Sequence, residues 1–150
     1  MSWQGNIENL VRIGQLKRAD FVEEDVAQYF GDASGYLTDA KVVATPQARF
    51  LLAYEGIHAL SMGVLNKAEV RVDSGEGHRQ TALQAALMIV DVNARVPGSS
   101  TVVMGIHRMR NTKTYHSPLP PVSASQADAA VKALDLMLDA ASAFLNIPRK

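Results

Sequence analysis

The segment HRMRNTKTYH, His107 to His116, gathers the side chains best suited to chemistry. Arg110 is followed directly by Asn111, and His116 lies six positions beyond Arg110. Arginine is a fixed cation that can hold a phosphate through two parallel hydrogen bonds. Histidine titrates near neutrality and can move a proton. Together they supply the minimum for metal-free cleavage of RNA. One group removes the proton of a 2′-OH, and a cation stabilises the charge that grows on the phosphorane. The product would be a 2′,3′-cyclic phosphate. Arg110, Asn111 and His116 are therefore the candidate catalytic residues.

The surrounding charge fits an anionic ligand. Lys plus Arg equals Asp plus Glu over the whole chain, so the formal net charge is zero. That argues against a general nucleic-acid coat, which carries a large basic excess. Yet no acidic residue occurs from Val92 through Ala127, a stretch that holds Arg95, Arg108, Arg110 and Lys113 with His107 and His116. Such a local positive field attracts phosphates, and Arg95, Arg108 and Lys113 are its candidate substrate-binding members. The plainer explanation is a solvated helix end, where cations offset the helix dipole.

These residues must be positioned by helices. Apolar residues recur at helical spacing almost throughout, which predicts an all-α domain, an antiparallel bundle of four main helices with one or two shorter ones. A first helix is expected from about Asn6 to Leu16. A second starts at Asp20, with Asp20 and Glu23 as a capping pair, and Gly31 and Gly35 mark a kink or a close helix approach. Thr45 and Pro46 open the third, whose stripe from Phe50 to Leu65 makes it the central core helix. A loop from Lys67 to Gly77 contains DSGEG. The fourth helix spans about His78 to Val92, and Ser99 or Ser100 caps the fifth. SPLPP, Ser117 to Pro121, stops the fifth, and the last begins near Ser123 to Ser125. KVVAT and KAEVRV are the nearest approaches to strands, and both read as helix ends or loop. The chain forms one domain over its 150 residues, a length able to bury a core without staples.

Along an ideal helix, six residues turn the direction by about 240°, so Arg110 and His116 would not share a face. They meet only if the helix ends between them, which Pro118 favours, or across the two-fold axis of a homodimer. A homodimer built around the fourth and fifth helices is the expected assembly.

The arrangement resembles the HEPN family (higher eukaryote and prokaryote nucleotide-binding domains). These are small, usually dimeric helical bundles that carry an Arg, four to six residues and a His, often with Asn after the Arg. Arg110, Asn111 and His116 match, with five residues between Arg and His. Arg49 to Leu65, RFLLAYEGIHALSMGVL, is similar to the family's A-Y-x-A-x-H helix, and GEGHRQTAL, Gly75 to Leu83, to a glycine-histidine turn of some bacterial members. The resemblance implies an endoribonuclease of toxin or defence type in one form. In another it implies a non-catalytic module that binds nucleotide, RNA or a nucleotidyltransferase or antitoxin partner. The toxin form often continues His-x-Tyr, whereas here Tyr115 precedes His116 and Ser117-Pro118 follow it. A helical interaction protein with a merely solvated basic surface is the third reading.

Four more residues are supporting candidates. Glu55 and His58 lie one turn apart on the third helix, where Glu55 can orient a histidine or pair with Arg110. His78 and Arg79 open the fourth helix, where backbone N–H groups can hold an anion. No metal site or cofactor is expected: the histidines lack metal spacing, DSGEG lacks the length of a calcium loop, and no phosphate-binding or dinucleotide fingerprint occurs. With no cysteine, thiol chemistry is excluded. The absence of a membrane span, of a secretory pattern and of cysteine favours the cytoplasm.

Overall fold

The computed structural model describes residues 2–73 and 77–149. Within them lie six α-helices: α1 Trp3–Arg12, α2 Glu23–Val42, α3 Pro46–Lys67, α4 His78–Ile89, α5 Ser99–Asn111 and α6 Ala124–Leu145. Ser74, Gly75 and Glu76 fall outside the described residues, so the turn read in DSGEG and the start of GEGHRQTAL are not placed.

The central helix is α3. The Thr45 side chain accepts the Ala48 N–H and Pro46 occupies the first turn, so four orphan donors are reduced at once. Phe50, Ile57, Leu60, Val64 and Leu65 are almost wholly buried along it. It packs on α2, α6 and α4. Two glycines let it approach its neighbours. A Cβ on Gly56 would strike Leu134 of α6 and crowd Tyr36 of α2, and one on Gly63 would crowd Tyr29. Moving along α3 from Gly56 to Gly63 thus moves back along α2 from Tyr36 to Tyr29, so the two helices run antiparallel. With α6 the sense is the same as that of α3: Arg49 pairs with Asp128, and Gly56 meets Leu134. The start of α6 is fixed by a capping box between Ser123 and Gln126.

Several expected boundaries move, each for a local reason. Helix α1 covers Trp3–Arg12 instead of reaching Leu16, because Gly14 takes a left-handed φ of 82° and its N–H returns to Val11. Asp20 does not cap α2. Val22 occupies that position, its N–H donating to Asn66 Oδ1, and Glu23, Glu24 and Asp25 place negative charge on the first turn. Helix α2 runs unbroken through Gly31 and Gly35, and neither admits a close neighbour, since a Cβ on either would meet open space. Residues 17–18 and 70–71 pair as two short antiparallel strands, so KAEVRV is partly strand. Helix α4 ends at Ile89 and a 3₁₀ turn, Val92–Ala94, follows under the Asp91 side chain. Gly98, left-handed at φ 83°, precedes α5 where a serine cap was expected. The Asn93 side chain serves that end instead by accepting the Ser100 N–H. Met88 on α4, at a helical apolar position, is exposed. No described helix is long and apolar enough to cross a membrane.

Candidate functional site

The last turn of α5 and the first turn of α4 converge. Between them lies a recess of about 400 Å³. Gly77 lines it just before α4, His78, Arg79 and Gln80 from α4, and His107, Arg110, Asn111 and Tyr115 from α5 and the π-helical turn Thr112–His116. Gly77 is left-handed at φ 80°, a conformation that glycine adopts without a Cβ penalty, and it lets the chain enter α4 beside the recess. His107, Arg110 and Asn111 stand at steps of three and four on α5, so one helix face carries all three.

A chain of polar contacts runs from the core to the recess. The Tyr54 hydroxyl, buried on α3, is 3.0 Å from His107 Nδ1. His107 Nε2 is 3.2 Å from Asn111 Nδ2, and Arg110 donates to Asn111 Oδ1 at 3.2 Å. The Arg110 guanidinium also lies over two rings, 5.1 Å from the centroid of Tyr54 and 5.6 Å from that of Tyr115. Such stacking holds a cation without neutralising it. Arg79 is the second cation. It sits 5.8 Å from the Tyr54 ring and donates to Glu55 at 3.2 Å.

The electrostatics follow from burial among these cations. Burial, and then the charges of Arg110, Arg79 and Arg108, push the His107 pKa down. Burial likewise raises that of the Tyr54 phenol. His58, on α3 one turn beyond Tyr54, is lowered from 6.5 to about 4 by burial and by Arg79, His78, Arg110 and His107. His58 and His107 are therefore neutral at pH 7, and the fixed positive charge beside them belongs to the arginines.

Neither a family model, a curated protein nor a solved structure matches this chain.

The expected site residues separate into two groups. Arg110, Asn111, His78 and Arg79 come together at the recess, with Glu55 and His58 behind it on α3. Glu55 pairs with Arg79 and not with Arg110. His116 does not join them. It is exposed at the end of the π-helical turn and is not part of the recess wall. Lys113 turns its ammonium to the Pro120 carbonyl. Arg108 lines a different groove, between α4 and α5 with Met88 and Met104. Arg95 is exposed beyond the 3₁₀ turn. The basic stretch thus delivers one cation to the recess, and the other comes from α4. Tyr54 and His107 were not among the expected site residues. The three- and four-residue steps from His107 to Arg110 and Asn111 were the available signal for the histidine.

The depressed His58 pKa has a consequence for stability. The unfolded chain binds a proton near 6.5 and the folded chain only near 4, so the folded state binds fewer protons across that window. Stability is present above the upper value and falls as pH drops toward the lower one, on the order of 1–3 kcal/mol for such a shift. His58→Leu is expected to flatten most of this acid limb, leaving the part due to His107. Denaturant melts at neutral pH and near pH 4 check it. An unchanged slope would place the acid-sensitive group elsewhere.

Proposed function

We propose that this chain is a HEPN-like helical domain that holds a phosphate of RNA or of a nucleotide in the recess between α4 and α5. The observation that carries this reading is the convergence of the Arg79 and Arg110 guanidiniums, from two separate helices, on one recess of about 400 Å³. Two guanidiniums present planar forks that match phosphate oxygens, and each is held over the Tyr54 ring. The first turn of α4 adds its N-terminal dipole on the same side. The predominance of helix and the antiparallel α2–α3 pair support this reading, while α6 runs parallel to α3. A short single-stranded RNA titrated in EDTA tests the reading. Saturable binding that weakens as salt rises is expected, because each phosphate contact releases counterions. Failure of both this RNA and a nucleoside monophosphate to bind at low salt overturns it.

The second reading is a metal-independent endoribonuclease. Arg110 and Asn111 occupy the recess, and Tyr115, next to His116, forms part of its wall. In this version Arg110 binds the scissile phosphate and His116 transfers the proton. Because His116 is exposed outside the wall, a homodimer that brings it from a second copy is the assembly that completes the site.

A further inference from the structure

We propose that His107 is a positioning residue for the recess: as the neutral Nδ1–H tautomer it fixes Asn111 with its carbonyl oxygen toward Arg110, so that Tyr54 in the core sets the guanidinium that meets the anion. This rests on the reading that the recess binds a phosphate.

The direction of every bond in the chain follows from one fact. A guanidinium has donors and no acceptor. Arg110 therefore donates, and the Asn111 atom facing it, 3.2 Å away, is the oxygen. That leaves the Asn111 amide nitrogen toward His107, at 3.2 Å, where it donates. His107 Nε2 must then be an acceptor and carries no proton. A neutral imidazole has one proton, so it sits on Nδ1 and is given to the Tyr54 hydroxyl oxygen at 3.0 Å.

The surroundings keep this arrangement in place. Tyr54 and His58 on α3, Arg79 on α4, and Arg108 and Arg110 on α5 itself are the titratable and charged groups that face or act on His107. With three of them cationic, a proton on Nε2 is disfavoured, and the buried ring stays neutral at pH 7. A charged His107 would turn the Asn111 oxygen to itself and present the amide N–H groups to Arg110, donor against donor. His107 is 3% exposed, so its part is to hold Asn111 and through it Arg110, not to take a proton from the ligand.

The tautomer is read directly by long-range ¹H–¹⁵N correlation of the imidazoles in the full chain at neutral pH. The expected His107 signature is a protonated Nδ1 and a bare Nε2. An Nε2–H tautomer or an imidazolium overturns the proposal. Affinity for a short single-stranded RNA is then compared in three variants, each checked for native helix content. His107→Leu and Asn111→Leu are each expected to weaken binding about tenfold. His107→Gln, which keeps an acceptor near the reach of Nε2, recovers most of that loss. Wild-type affinity in His107→Leu, or no recovery in His107→Gln, also overturns it. If the native protein binds neither RNA nor a nucleoside monophosphate, the phosphate reading fails and the relay loses its purpose, while the tautomer still reports whether the relay exists.

Discussion

Arg110→Ala is expected to weaken RNA binding on the order of 10²-fold. Removing one member of a partly buried, charge-assisted contact costs about 2–5 kcal/mol, much of it from leaving the opposite charge unmatched. Arg110 is the strongest single contributor here for three reasons. It stands in the recess, it is stacked between Tyr54 and Tyr115, and, unlike Arg79, it has no carboxylate partner in the described contacts. Arg110→Lys is expected to recover only part of the affinity. An ammonium keeps the charge but cannot hold Asn111 and a phosphate through one planar fork. Arg95→Ala, on an exposed loop away from the recess, is expected to change affinity by less than twofold. Equilibrium titrations of these three variants against one RNA at one salt concentration check the ranking. Equal losses in Arg110→Ala and Arg95→Ala would reduce the basic stretch to a diffuse surface charge.

His116→Ala separates binding from catalysis, and its effect is the largest that either reading allows. On the ribonuclease reading His116 moves the proton, so its loss lowers turnover by about 10²–10⁴ with RNA binding kept. Activity then survives EDTA, because no group of three metal-binding side chains occurs among the described residues. On the binding reading the native protein and the variant are equally inert and bind equally well. Gel analysis of single-stranded RNA incubated with each, with and without EDTA, distinguishes the two. Cleavage that ends in a 2′,3′-cyclic phosphate and is lost in His116→Ala would establish the enzyme. Sedimentation of the same samples at tens of micromolar checks the composite site. A strictly monomeric chain that still cleaves would require His116 to reach the recess within one chain.

Helical ends that depend on local side chains were legible in the residues. Thr45 with Pro46 opens α3 as expected, and α6 begins within the expected Ser123 to Ser125, where Ser123 and Gln126 form a capping box. The apolar stripe of α3 marked the central helix because burial at its spacing leaves little choice of face. What depended on distant parts of the chain was not legible. Residues 17–18 pair with residues 70–71 only because the end of α3 returns beside the α1–α2 connection. The three acids of the first turn, and not Asp20, mark the start of α2, and Asn66 from another helix completes it.

The site divides in the same way. Arg110 and Asn111 could be picked out from residue type and adjacency. That Arg110 and His116 would not share a face of one helix was legible too; the π-helical turn over Thr112–His116, which continues the helix and leaves His116 outside the recess, was not. Nor was the pairing of Tyr54 with His107, whose residues are far apart in sequence. Tyr54 reads simply as core because it is buried, and only the fold brings its hydroxyl to an imidazole. Arg79 gained its place from the approach of α4 to α5, which no local pattern encodes.

On the proposed reading Arg79 and Arg110 together receive a phosphate. The most direct measurement follows the arginine side-chain N–H resonances of the ¹⁵N-labelled protein while a nucleoside monophosphate is titrated in EDTA. The Arg79 and Arg110 signals are expected to shift together and saturate along one binding curve, while Arg95 and Arg108 stay in place. Shifts confined to Arg95 and Arg108, or small unsaturable shifts across all four, would contradict it.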